Sequence, residues 1–367
     1  MTTPYQLLTQ FAHLQLSPAA RAAIQQSVPA FAEWDAFVEL AEQQRMAPLV
    51  YHHLRQMETA VPAAARLALQ GLYLRHKQAN ETRFALLAEI VQWLEEAGIP
   101  VWLLKGAALA PMVYPEPALR PMGDLDLLVH PAQAEDAFAL LCQQGFRQIA
   151  VGAKMPEVHR HLPVLAKEHN QLLVSVELHR WVGGTLVSGQ PISFEVLTGE
   201  SWAVPLHGLT ARALSPVAML RHLYNHMIGE PMRLIRLVDM MAVAEQFADV
   251  IDWEVLRKQD TAVWASLSLF HAVHPLSPQL LKKACVPVVA PPAGYDQPLV
   301  DWPPIPRGQW AGKSWRYILR QTFMPSPFTL RLYYGVANGR SLFWHRWFIH
   351  PLNILRWWAL RRFGNGR

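Results

Sequence analysis

The stretch from Val101 to His130, VWLLKGAALAPMVYPEPALRPMGDLDLLVH, constrains the fold more than any other part of the chain. It reads as a buried strand, a turn at Lys105-Gly106, a short helix, a proline-rich loop carrying Arg120, and a second strand opening with Asp124 and Asp126. Side chains alternate across a strand, so Asp124 and Asp126 share one face while Leu125 and Leu127 share the other. The oily face can enter a core. Two carboxylates are then left side by side with no evident neutralising partner, and each raises the other's pKa unless a cation lies between them. A divalent metal bound to phosphate oxygens is the commonest chemical reason for such a pair. The bland alternative is a strand end with two solvated acids.

A third carboxylate follows from alternation alone. Residues 162–167 and 171–179 read as a hairpin around Glu168-His169-Asn170. In the second arm Leu172, Val174, Val176 and Leu178 fall on one face. Leu173, Ser175, Glu177 and His179 fall on the other, so Glu177 points away from the apolar side.

Before the central stretch, residues 1–97 place apolar side chains at helical spacing, and Gly98 and Pro100 stop the last helix just ahead of the strand at Val101. After the Asp pair, Pro131 opens a helix ended by Gly145, and a strand is expected over about 146–151. Helices return from Ser215, where Ser-Pro makes a cap and first turn. One runs from about Met232 to Phe247 with Asp239 in its middle, and Asp252 caps another. Residues 286–307 are too rich in proline for regular structure. The expected division is a helical region over 1–97, an α+β core over 98–212, a helical domain over 213–285, a linker over 286–307 and a tail over 308–367.

Charge separates the tail from the rest. The net charge of +5 divides into +11 beyond Asp301, where no acidic residue occurs, and −6 before it. With 51% hydrophobic and 17% charged residues, a sizeable core is expected and wholesale disorder is not. No apolar run approaches the ~18–20 residues of a membrane span, and the N-terminus lacks the pattern of a signal peptide. Cys142 and Cys285 cannot supply a disulfide framework. A cytoplasmic location is expected, with peripheral contact to the inner face of a membrane as an option.

Lys105, Gly106, Tyr114, Arg120, Asp124 and Asp126, followed by Leu127, Leu128 and Val129, resemble the motif of the DNA polymerase β-type nucleotidyltransferase superfamily. Within it they look most like a bacterial family known as NTP transferase family 5. The resemblance spans roughly residues 80–255 and implies a mixed-sheet α+β core flanked by helical regions on both sides. The run Glu177-Leu178-His179-Arg180-Trp181 resembles the later acid-x-His-aromatic element, with Trp one place late. The usual Gly-Ser turn is Gly106-Ala107 here, which removes a hydroxyl expected to meet phosphate.

The resemblance implies transfer of a nucleoside monophosphate from an NTP to a hydroxyl or phosphate acceptor. Asp124, Asp126 and Glu177 are then the catalytic and metal-binding residues for two Mg²⁺ or Mn²⁺ ions. Lys105, Gly106, Arg120 and His179 are the nucleotide-binding candidates. The acceptor can be a sugar, metabolite, peptide or protein; nucleic acid is disfavoured because the core is acidic and shows no basic-aromatic groove. Lys105 can instead be an exposed strand-end lysine, Arg120 a locally paired loop arginine and His179 a satisfied core imidazole. Asn at either Asp124 or Asp126 is expected to leave stability unchanged or raised, because repulsion is relieved. Asp239 is a candidate for the cleft, or for pairing with Arg233 or Arg236. The histidine pairs His159/His161 and His222/His226 invite a zinc reading, but Leu-Tyr-Asn between the latter lacks the metalloprotease Glu.

Two rival functions remain: a nucleotide-binding module without turnover, and a membrane-surface or interaction protein working through its basic aromatic tail. The tail interleaves Trp and Phe with Arg, and a helix from about Pro351 is expected to gather Leu352, Ile354, Leu355 and Trp358 on one face. The expectation is that these aromatics pack onto the acidic body of the same chain, since large apolar patches are rarely exposed.

Overall fold

The computed structural model describes residues 2–57, 59–149, 162–183, 191–229, 232–299 and 312–363. His159 and His161 lie outside them, as does the end of the strand expected over 146–151.

Five helices come first: α1 (Pro4–Gln10), α2 (Pro18–Ser27), α3 (Trp34–Gln43), α4 (Ala47–Gln56) and α5 (Ala63–Glu96). α5 buries Leu69, Tyr73, Asn80, Phe84, Leu87, Val91 and Leu94, a stripe at three-, four- and seven-residue spacing that lies on the rest of the fold. Gly98 ends it in the left-handed region at φ +71°, where an L side chain is strained.

The core follows as β1 (Val101–Leu103), α6 (Lys105–Met112), β2 (Asp124–Val129), α7 (Ala134–Gln143) and β3 (Arg147–Gln148). Then come β4 (Leu165–His169), β5 (Leu172–His179), β6 (Val182–Gly183), β7 (Pro191–Ile192), α8 (Phe194–Thr198), β8 (Ser201–Leu206) and β9 (Leu209–Leu214). Seven strands form one sheet in the order β3-β4-β5-β2-β1-β9-β8. It is mixed: β1 runs antiparallel to β2 but parallel to β9, and β2 runs parallel to β5. The fold class is therefore the expected α+β with a mixed sheet.

Two details differ from the sequence reading. The β4–β5 turn is the pair Asn170-Gln171, both at positive φ, so the arms are 165–169 and 172–179. That is the backbone geometry of a tight hairpin with a right-handed twist. The hairpin β8–β9 has no counterpart among the elements expected from periodicity; it turns at His207-Gly208, again both at positive φ.

Helices α9 (Pro216–Gly229), α10 (Leu234–Gln246), α11 (Trp253–Gln259), α12 (Thr261–Val273) and α13 (Pro278–Lys283) pack on the sheet and on the N-terminal helices. One hydrophobic cluster joins Leu7 and Phe37 from the N-terminal helices, Leu103, Leu125 and Val176 from the sheet, and Leu237 and Phe270 from the later helices. Residues 287–299 carry no helix or strand and are strapped down through hydrogen bonds from Phe328 N to the Ala293 carbonyl and from Asn338 Nδ2 to the Ala290 carbonyl.

The tail forms α14 (Trp315–Phe323), α15 (Pro327–Tyr334) and α16 (His350–Phe363), the last preceded by a π turn at His345–Ile349. α15 joins the core, burying Phe328, Leu332 and Tyr333, and the Tyr224 hydroxyl donates to the Leu332 carbonyl at 2.7 Å. The expected packing of the tail tryptophans onto the body is met only in part among the described residues, where Trp357 is half-buried. Trp315, Trp344, Trp347 and Trp358 are all exposed, and the face expected on α16 is split, with Ile354 buried and Leu352, Leu355 and Trp358 outward. A helix with apolar residues on two edges can present only one of them to the body beneath it. No helix among the described residues is long and apolar enough to cross a membrane.

Two buried histidines make the fold sensitive to acid. Burial lowers both His53 and His274 to about 4. His53 Nε2 donates to the His13 carbonyl at 2.8 Å, and its Nδ1 has no hydrogen-bond partner. An unfolded imidazole titrates near ~6.5, so the unfolded state takes up protons first as pH falls. Stability is constant with respect to these two groups above ~6.5, is lost between there and about 4, and then levels off. Urea midpoints should therefore fall between about pH 7 and about pH 5. His53→Gln, whose amide can still reach the His13 carbonyl, should shrink that slope. A midpoint flat over this range would contradict the assignment.

Candidate active site

β2 ends the approach to a cavity of about 190 Å³ lined by Arg45, Lys105, Gly106, Arg120, Met122, Asp124, Asp126, Glu177, His226, Arg233, Ile235 and Arg236. Parallel pairing of β2 with β5 sets Asp126 directly opposite Glu177, and Leu128 opposite His179. All three carboxylates thus face one cavity, as alternation required. Six of the seven candidate residues line it. The seventh, His179, is buried behind it and touches Asp126.

Asp126 is not short of a neutralising partner. Lys105 Nζ donates to its Oδ1 at 2.6 Å, and His179 Nε2 lies 2.8 Å from the same oxygen and 3.6 Å from Glu177 Oε2. Lys105 can turn back because it opens α6 in the left-handed region at φ +46°. Burial alone would raise the Asp126 pKa, but Lys105 and His179 hold the carboxyl well below the usual range. Asp124 moves the other way: burial, then the charge of Asp126, raises it against the pull of Lys105, Arg45 and Arg120. Burial would depress the Lys105 ammonium, yet Asp126, Glu177 and Asp124 raise its pKa on balance. The two aspartates therefore have different electrostatic partners, which their spacing in sequence does not reveal.

Gly106 is needed for close approach. A Cβ there would lie 2.6 Å from Met122 Cγ and 3.6 Å from Arg120 Nη1. Ala107, at the usual Ser position, is buried and is not among the lining residues, so α6 meets the cavity through Lys105 and Gly106.

Arg120 lines the cavity, but each of its three nitrogens already donates within the protein. Nε and Nη2 each lie 2.7 Å from an oxygen of Asp239, and Nη1 donates to the Pro121 carbonyl at 2.6 Å. The Tyr114 hydroxyl donates to Asp239 Oδ1 at 2.6 Å. Burial would depress the Arg120 guanidinium, but the Asp239 charge raises its pKa; burial and the same carboxylate raise Tyr114. Asp239 thus holds Arg120 and Tyr114, not Arg233 or Arg236. Asn80 Nδ2 completes the loop's support by donating to the carbonyls of Pro117 and Arg120.

The cavity also has a cationic lining, from Arg45, Arg233 and Arg236. Arg45, in the link between α3 and α4, sits beside Gly123, whose Cβ would be 3.3 Å from Arg45 Nη2. Arg233 and Arg236 stand at the start of α10, with Arg236 Nη1 on the His226 carbonyl at 3.1 Å. Gln44 brings the two segments together: its Oε1 accepts from Leu234 N at 2.8 Å and so caps α10 from 190 residues away. Among the described residues neither Arg45 nor Arg233 makes an ion pair. Burial, reinforced by Arg233 and Arg120, lowers Arg45 to about 10, so it stays charged at neutral pH. The signal for this wall in the sequence was only two arginines around Leu234-Ile235, beside no recognisable motif.

The donor chemistry of the cavity suits a hard cation. Among the described residues one set, Asp126, Glu177 and His179, places ligand atoms within 4.8 Å of one another; Asp124 is not in that set. Carboxylate oxygens are the ligands Mg²⁺ and Mn²⁺ favour. His222 and His226, the other candidate pair, stack with ring centroids 6.2 Å apart.

Residues 31–277 of this 367-residue chain match the family described as uncharacterised nucleotidyltransferase. The chain belongs to that family and is, by that membership, a transferase. A search among curated proteins found no match. Among solved structures it is similar to the solution structure of the antibiotic-resistance factor ANT(2'')-Ia, at 17% identity and TM-score 0.35, over 53% of this chain and 100% of that one. A crystal structure of ANT(2'')-Ia in complex with adenylyl-2''-tobramycin gives 17% and 0.35, over 48% and 96%. An antigenic nucleotidyltransferase-like protein from Paracoccidioides brasiliensis gives 12% and 0.32, over 45% and 77%.

The two aspartates should part company on mutation. Asp124→Asn removes a buried charge that repels Asp126 and should leave the melting temperature unchanged or raised. Asp126→Asn strips the Lys105 ammonium of its closest partner and should cost about 3 kcal/mol. Thermal unfolding of the two variants checks this, and equal shifts would show that the asymmetry has no energetic weight.

Proposed function

We propose that this chain transfers a nucleoside monophosphate from an NTP to a hydroxyl or phosphate acceptor in a divalent-metal-dependent reaction. The observation that carries the reading is one cavity that gathers three carboxylates from the sheet with Arg45 and Arg233, which make no ion pair among the described residues. Asp126 and Glu177 would hold one Mg²⁺ or Mn²⁺, and Asp124 with Asp126 a second. When bound, such ions lower the pKa of an acceptor hydroxyl and offset charge on the departing pyrophosphate.

The protein's own groups divide the remaining work. Arg45 and Arg233 meet the triphosphate from the side opposite the carboxylates, each able to offer a planar fork of N–H donors. His179 positions Asp126, and Lys105 balances the site's charge before substrate arrives. Arg120, held by Asp239, fixes the loop beside Gly106 and contributes its positive field. Glu177, the least buried of the opposed pair, serves the acceptor side. The acceptor is a small molecule or a polypeptide side chain, not nucleic acid, given the −6 charge of residues 1–301.

Nucleotide binding without turnover is the second reading, and it draws on Ala107, which offers no hydroxyl to phosphate. Incubating the full-length protein with each labelled NTP, Mg²⁺ or Mn²⁺ and candidate acceptors, while following pyrophosphate, separates the two. Glu177→Gln should cut turnover about a hundredfold or more with NTP affinity nearly unchanged. Arg45→Ala and Arg233→Ala should each weaken NTP binding about tenfold or more. Calorimetry that finds no metal-dependent binding of any NTP by the intact protein would defeat both readings.

A further inference from the structure

The tail helices end in a surface that the chemistry of the cavity does not use. α16 is held on its inner edge. His350 is fully buried, with Nε2 on the Thr322 carbonyl at 2.8 Å and Nδ1 2.9 Å from the Tyr334 hydroxyl, which also accepts from Asn353 Nδ2. Ile354, one turn on, is buried on the same edge. Through Tyr334 and α15 this edge is fixed to the core, so the outer edge is presented by a docked helix.

That outer edge is Trp344, Trp347, Phe348, Leu352, Leu355 and Trp358, with the three tryptophans 64%, 53% and 50% exposed. The positions recur at three and four residues along about 20 Å of helix. Phe343, Trp344 and Phe348 pack ring against ring, with centroids 5.0–6.1 Å apart. Aromatic side chains bury ~150–250 Å² each, so half-exposed rings in this number leave on the order of 500 Å² of apolar surface in one strip. Single monomers rarely leave that much without a partner.

The charge around the strip selects the partner. Arg340 just before the strip and Arg356 within its span are exposed, and α14, which lies against α16, exposes Trp315, Arg316 and Arg320 and buries no residue of its own. No acidic residue occurs after Asp301. Tryptophan suits the boundary between water and hydrocarbon, and arginine answers anionic headgroups. We propose that α14 and α16 dock in the plane of an anionic lipid surface, with Trp344, Trp347 and Trp358 entering the headgroup layer. None of these residues lines the cavity, so the proposal stands independently of the reaction.

The test is co-sedimentation of the full-length protein with vesicles of phosphatidylcholine alone or with about a third phosphatidylglycerol. Sedimentation with the anionic vesicles only, weakened by salt, is expected. The double variant Trp344→Ser, Trp347→Ser should stay in the supernatant with its melting temperature unchanged. If it melts lower, Leu352→Gln with Leu355→Gln on the same strip gives the reading instead. Arg316→Gln with Arg356→Gln should weaken binding about thirtyfold, from ~1 kcal/mol per basic residue. Intact protein that remains in the supernatant with both vesicle types, or sediments equally with neutral ones, overturns the proposal. So does a dimer in light scattering that the tryptophan variant breaks without any vesicle binding, which would make the strip a contact between two copies.

Discussion

A single buried ion pair sets the geometry on which the rest depends: the Arg120 guanidinium against the Asp239 carboxylate, both almost wholly removed from water. Burying two charges is costly, and a fork of two N–H groups on one carboxylate is the geometry that best offsets it. Tyr114 adds a third donor to the carboxylate, and the Pro121 carbonyl accepts from Arg120 Nη1, so the pair is also hydrogen-bonded on its outer side. The pair joins the loop ahead of β2 to the middle of α10. Sheet and helical region are thereby locked at one spacing, and the cavity is the gap that spacing leaves.

Within that gap the charges are arranged by wall. Carboxylates come from adjacent strands and arginines from helix ends, and only Lys105 and His179 cross over to the acidic side. An anion with several negative oxygens and a bound cation can satisfy both walls together, whereas neither alone would be comfortable beside it. The nucleotidyltransferase family to which the chain belongs is consistent with that arrangement.

The acidic wall was legible because a strand repeats every two residues. Asp124 and Asp126 had to share a face, and Glu177 had to oppose the apolar side of its strand; the register Asp126 to Glu177 followed once β2 and β5 paired. The cationic wall was not legible. Arg45 belongs to a short link with its φ at +56°, and nothing local marks such a residue as facing carboxylates 80 positions later. Asp239, a buried acid in an apolar helix, needs a partner, but which arginine answers it is a property of tertiary packing. The β8–β9 hairpin had a local signal, His207-Gly208 between alternating segments, that the helical pattern on either side obscured. The tail is hard to read for a different reason: composition says how much apolar surface exists, not which edge of a helix finds a neighbour.

The cap that Gln44 places on α10 also dictates an order of assembly. As the chain is made, Arg45 emerges first, the carboxylates next, and Arg233 last, beside the Leu234 that lies 190 residues beyond Gln44. Contacts this distant in sequence form late, because closing so long a loop gains nothing until both ends have packed. The acidic half of the cavity can exist on a sheet that is still growing, without the opposite charges. The cationic lining of the cavity therefore arrives with a long-range contact of the fold, later than the sheet that carries the carboxylates.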